Sequence, residues 1–185
     1  MPDHMFFGSR IIAPVTFEDD RTTIMNRTLA RGIDSLRNPG QAWKISFGVE
    51  PSEGISPFTT LLQYGNSSFW FTLPQPETPT VEKGSQSALV EVNKPAGSNV
   101  VDVTLPANRF IRFSNHNKVY LVVSSSGGSS VIYPTLRSGI ADNDIIDYGD
   151  NVQIFVRFDE PQQYSFTFND GVLNDHTRIH LLEDV

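Results

Sequence analysis

The sequence predicts a mainly β protein: a sandwich or barrel of roughly nine or ten antiparallel strands with one short helix. Three observations carry that expectation. Several segments alternate apolar and polar residues with period two, as half-buried strands require. The clearest are Trp43, Ile45, Phe47 and Val49, then Val152, Ile154, Val156 and Phe158, then Tyr164, Phe166 and Phe168. Clusters of Gly, Pro, Asn and Asp punctuate the chain at the short spacing of an all-β domain. One segment joins helix start and stop signals: Ser56 as cap, Pro57 at the first helical position and Gly65 after the last turn, which predicts a helix over 57–64.

From the N-terminus, Ile11, Ile12, Val15 and Phe17 form a short strand interrupted by Pro14, which suits an edge or a lead-in. Glu18-Asp19-Asp20-Arg21 reads as a turn, Thr22–Leu29 as extended chain and Asn38-Pro39-Gly40 as a strong turn signal. Residues 1–40 are therefore expected to be an extended arm, packed on a neighbouring subunit or on its own domain, and 41–185 a single β-barrel domain. Ser68–Leu73 alternates with Phe69, Phe71 and Leu73 on one face and Trp70 on the other. Three prolines in Pro74–Pro79 predict a surface loop. Ala88–Val92 and Val100–Leu105 read as strands joined through Lys94–Ser98 as a hairpin.

The stretch Leu105–Arg137 has a polar turn at Ser114–Asn117, a strand at Lys118–Val123, a flexible Ser/Gly loop at Ser124–Ser130 and a short strand, Val131–Tyr133, that stops at Pro134. Ala141–Asp144 and Asp147–Asp150 read as polar turns, Asn169-Asp170-Gly171 as a tight turn and Thr177–Leu182 as the last strand.

At 185 residues, with 38 % hydrophobic and 19 % charged side chains, the chain has enough apolar material for a packed core. The apolar runs are too short for a spanning helix, and the first residues carry no secretory pattern. Zero cysteines exclude disulfides, thiolate metal sites and a cysteine nucleophile. The net charge of −7 is concentrated late: residues 138–185 hold ten acidic and two basic side chains. Such a segment repels nucleic acid rather than binding it.

Candidate chemistry is sparse. His176 and His180 lie roughly 13 Å apart if the segment is a strand, too far to share a metal. His116, between Asn115 and Asn117, reads as a turn residue. Asp142, Asn143, Asp144, Asp147 and Asp150 have the composition of a calcium loop but not its order, since Asp147 stands where the invariant glycine belongs. The serine cluster Ser124–Ser130 lacks a nucleophile elbow. These observations single out no catalytic residue, no cofactor site and no metal site. Trp70, opposite its inward neighbours, is a candidate contact residue.

Several short motifs resemble one family. They are Arg31, Arg37 and Asn38-Pro39-Gly40-Gln41-Ala42-Trp43; the expected helix followed by Ser68–Pro74; Leu105-Pro106-Ala107; Phe110–Phe113; Asn115-His116-Asn117-Lys118-Val119-Tyr120; and Ile132-Tyr133-Pro134-Thr135-Leu136-Arg137. The set is similar to tailed-bacteriophage tail-tip and baseplate proteins of the distal-tail or tail-tube type. In that family a His-x-Lys-Val-Tyr step often precedes Ile-Tyr-Pro-Pro-Leu-Arg; here Thr135 replaces the second proline. The resemblance implies a split β-barrel with a helix on one side, a virion structural protein made in the bacterial host cytoplasm, and no catalysis. Its partners would be further copies in a ring around the DNA channel and other tail or baseplate proteins. It makes Trp43, Trp70, Arg31 and Arg37 interface candidates, and Asp142, Asp144, Asp147 and Asp150 candidates for an acidic lumen. The competing expectation is a receptor- or carbohydrate-binding module of a tail appendage, with Pro74–Gly84 and Ser124–Ser130 as contact loops.

Overall fold

Alternation along Gln41–Val49 drives the first sheet. Trp43, Ile45, Phe47 and Val49 are buried, while the residues between them are half-exposed. Burying each such side chain contributes about 1.5–3 kcal/mol. The fold is that of a computed structural model described over residues 5–7, 9–27, 33–50, 63–65, 67–76, 84–150, 152–159, 168–169, 172–173 and 178–185.

Its strands are β1 (Met5–Phe6), β2 (Ser9–Arg27), β3 (Ile33–Val49), β4 (Phe69–Thr72), β5 (Ser85–Leu89), β6 (Val100–Val101) and β7 (Phe110–Phe113). There follow β8 (Val119–Ser126), β9 (Ser129–Tyr133), β10 (Ile145–Gly149), β11 (Gln153–Phe158), β12 (Phe168–Asn169), β13 (Val172–Leu173) and β14 (Ile179–Glu183). The protein is mainly β, as expected, and its sheets are antiparallel, with orders β1-β2-β3-β14-β11-β4 and β5-β10-β7-β8-β9-β6 plus the β12-β13 pair. Of the expected helix, Gln63 and Tyr64 are helical, and 57–62 lie outside the described residues.

The chain divides into two compact units, Met1–Phe69 with Val156–Val185, and Trp70–Phe155. The first holds the long β2–β3 hairpin. Here two expected turns are overturned. Glu18–Arg21 runs inside β2 opposite Lys44, Trp43, Ala42 and Gln41, and Asn38–Gly40 lies inside β3. The register explains both proline signals. Residues 13–15 oppose the single residue Phe47, and residues 38–40 oppose the single residue Thr22. Pro14 and Pro39 have no N–H to give a ladder, so each sits in a bulge and the strand continues past it. The boundary expected at residue 40 thus falls inside a strand. Phe6, Phe47, Phe69 and Phe158 form this unit's aromatic cluster, with Phe6–Phe47 centroids 5.1 Å apart and Phe69–Phe158 5.4 Å. Phe7 holds a left-handed backbone (φ 46°), a conformation that costs a non-glycine residue, and its ring is stacked on Tyr64 at 5.2 Å.

In the second unit, β8 pairs with both β7 and β9 over a core that includes Ile111, Phe113, Tyr120, Val122, Ile132, Leu136 and Ile146. Ser124–Ser130 is a hairpin rather than a flexible loop. Ser126 pairs with Ser129 across Gly127 and Gly128, whose φ values of +61° and +86° suit a tight two-residue turn that side chains resist. The turn expected at Asp147–Asp150 is overturned, because Asp147–Gly149 belong to β10 and pair with Ser87, Gln86 and Ser85. Ala88–Val92 and Val100–Leu105 do not form a hairpin with each other. β5 pairs with β10, and β6 pairs with β9. The segment between them is anchored through the Lys94–Ile140 bridge.

Candidate functional site

The second unit holds a buried polar cluster where the sequence suggested only a turn. His116 does follow the β7–β8 turn, its N–H donating to Phe113 O at 2.9 Å, but the side chain is 5 % exposed. Its Nδ1 lies 2.8 Å from the Tyr120 hydroxyl, and its Nε2 lies 2.8 Å from Ser138 Oγ and 3.5 Å from Gly139 O. The Arg137 N–H donates to the same Tyr120 oxygen at 3.2 Å. A consistent assignment follows from these neighbours: Tyr120 accepts from Arg137 and donates to Nδ1, so Nε2 carries the hydrogen and gives it to Ser138 and Gly139. In that tautomer the imidazole donates to Ser138 and does not withdraw its proton, so the pair is no activated nucleophile. Burial pushes the His116 pKa down, opposed by the Gly139 carbonyl and by Asp144. The cluster fixes the segment 137–139 against the β7–β8 turn.

Other side chains likewise do the work of a strand. Gln75 donates to Phe110 O at 3.2 Å and accepts from Phe110 N at 3.0 Å, mimicking a ladder pair. The part of Pro74–Pro79 nearest β4 is therefore tied down: Pro74 and Gln75 are buried, and 77–79 lie outside the described residues. Ser130, fully buried, donates to Val103 O at 2.6 Å and accepts from Leu105 N at 2.9 Å.

The same unit carries an aromatic and charged cluster around Trp70. Trp70 points outward as its alternation required and is 43 % exposed. The Arg112 guanidinium sits 4.7 Å above its ring, and Phe155 lies 5.0 Å away. Arg112 also pairs with Asp147 at 3.0 Å. An aromatic face, a cationic fork and a carboxylate suit contact with a polar partner. Only Trp70 was legible in advance, since Arg112 and Asp147 meet through the β7–β10 register.

The remaining candidates are dispersed in role. Asp144 accepts from Ala141 N at 2.7 Å and from Asn115 at 2.9 Å, and Asp150 accepts from Gly84 N at 2.9 Å. Asp142 is exposed, and its backbone N–H is bound by Asn93. Three of the four acids thus hold partners within the unit, and among the described residues no three His, Asp or Glu side chains are grouped to hold a metal. Trp43 is buried, and its backbone N–H donates to the Glu183 carboxylate at 3.1 Å. Arg37 lies opposite Thr23 in the long hairpin, and Arg31 lies outside the described residues. His180 is exposed on β14, and His176 lies outside the described residues.

Neither protein-family models nor curated proteins gave a match to this sequence.

Proposed function

We propose that the protein is a structural component of a bacteriophage tail, assembling into a ring in the baseplate or distal tail around the DNA channel. The observation that carries this reading is the β2–β3 hairpin. Among the described residues, β14 pairs with β3 only over Lys44–Phe47, and β1 pairs with β2 only at Ser9 and Arg10. From Arg21 to Arg27 and back from Ile33 to Gln41, no third strand joins the ribbon among the described residues. A two-stranded ribbon in water is marginal by itself, so a neighbouring subunit is the natural cover for it. The family motifs add support, because His116–Tyr120 leads from the β7–β8 turn into β8, Ile132–Arg137 runs from β9 into the segment after it, and the Arg137 N–H donates to the Tyr120 hydroxyl to join the two. The finer architecture we assign is a split barrel with a helix on one side, free of catalytic activity. Asp142, Asp144, Asp147 and Asp150 are the residues we assign to an acidic lumen, and the protein resides in the virion after synthesis in the host cytoplasm.

The Trp70–Arg112–Asp147 patch favours a second reading, a receptor- or carbohydrate-binding module of a tail appendage. Electron microscopy of virions with the protein labelled separates the two. Label on a ring at the tail end supports the first, and label along fibres or spikes, with binding of purified protein to a glycan array, supports the second.

A further inference from the structure

Arg109 precedes β7 and is clamped by its backbone: its carbonyl accepts from Val122 N at 2.8 Å, while Asn108 N donates to Val122 O at 2.7 Å. It shares strand parity with Ile111 and Phe113, which belong to the apolar core. Only 5 % of the residue is exposed. Among the described residues its Nε, like that of Arg112, is buried without a hydrogen-bond partner, and, unlike for Arg112, no carboxylate lies within ion-pair distance of its guanidinium. Lys44, Lys94 and Arg112, all less buried, each hold an aspartate. A buried charge with no counter-charge is strongly unfavourable, and replacing it by an apolar chain of similar volume is often neutral or better. A position that retains such a charge calls for an anion from outside the fold. The guanidinium presents planar, paired N–H donors, which match a carboxylate or phosphate better than a spherical halide.

We infer that Arg109 is the cation of an oxyanion-binding site, taking either a phosphate-type anion from solution or a carboxylate presented by a second copy of this chain. The inference does not depend on the tail reading. The test is thermal unfolding of the full chain in a chloride buffer, titrated with sodium phosphate at constant ionic strength, for wild type and Arg109→Met.

Wild type should show a midpoint that climbs with the logarithm of phosphate concentration once the site fills. Arg109→Met should lose that response and unfold, without phosphate, no lower than wild type. Equal responses in both proteins, or a wild type whose midpoint phosphate does not raise beyond the chloride control and whose oligomeric state phosphate does not change, would overturn the site. If Arg109→Met does not fold, Arg109→Lys decides: a weakened response upholds the fork, and an unchanged one refutes it. Sedimentation distinguishes the two sources. An oligomer that phosphate dissociates, and that the substitution also dissociates, assigns the anion to a second copy. An unchanged oligomeric state with the phosphate response intact assigns it to solution.

Discussion

The two units solve the same problem with different materials. The first buries aromatic rings among paired strands: Phe47 is fully buried, opposite Ile179 of β14 on one side and the β2 bulge at residues 13–15 on the other. The second buries a mainly aliphatic core beneath irregular chain, residues 90–99, 102–108 and 134–144, whose amides cannot all find a strand. Buried backbone groups must be paired, so side chains take the role: Ser130 for Val103 and Leu105, Gln75 for Phe110, Tyr120 for Arg137. The difference teaches that apolar truncation is the damaging change in the first unit, whereas loss of one hydroxyl matters in the second.

Substitutions sharpen that contrast. Phe47→Ala should cost about 3–5 kcal/mol by denaturant unfolding, the range for a large aromatic lost from a core. Gly149→Ala should cost about 2–4 kcal/mol. Its φ of +87° disfavours a side chain, and a Cβ there would collide with the Gly84 carbonyl oxygen. Ser130→Ala should cost about 1–3 kcal/mol by stranding buried partners, while Ser129→Ala at the hairpin turn should stay within about 0.5 kcal/mol. A Ser130→Ala protein as stable as wild type would show that the second unit does not depend on this hydroxyl.

A pH experiment probes the second unit alone. Because burial lowers the His116 pKa, the unfolded chain takes up the proton first. The stability this confers is complete above the ordinary histidine pKa of about 6.5 and is lost as pH falls below it toward the lowered folded value. Thermal midpoints should therefore drop more steeply between about pH 7 and pH 5 in wild type than in His116→Gln. The smallest effect belongs to the first unit. Lys44, whose pKa is raised by its hydrogen bond to Asp159, is paired at 3.0 Å on a half-exposed surface. Lys44→Met should cost less than about 1 kcal/mol at neutral pH, and the wild-type advantage should vanish as pH rises past the lysine range.

Fold class was legible because period-two alternation is local: β3 and β11 bury the faces their sequences marked. Turn signals misled wherever pairing overrode them. Pro39-Gly40 and Pro14 punctuate a ladder that resumes on either side, and Asp147 stays in a strand facing Arg112. Non-local contacts were illegible in principle. Nothing near Gln75 announces that it pairs with Phe110, 35 residues away, and nothing near His116 announces Ser138. Trp70 was found because its neighbours on the strand point the other way; its partners Arg112 and Phe155 come from other strands.

Native mass spectrometry of the full chain reads ring assembly from the mass of the intact oligomer. Ring assembly predicts one discrete closed oligomer, an integer multiple of 20.6 kDa, that loses its defined stoichiometry when the ribbon residues 21–40 are replaced by a short turn. A monomer at every concentration, or an oligomer indifferent to that replacement, would contradict it.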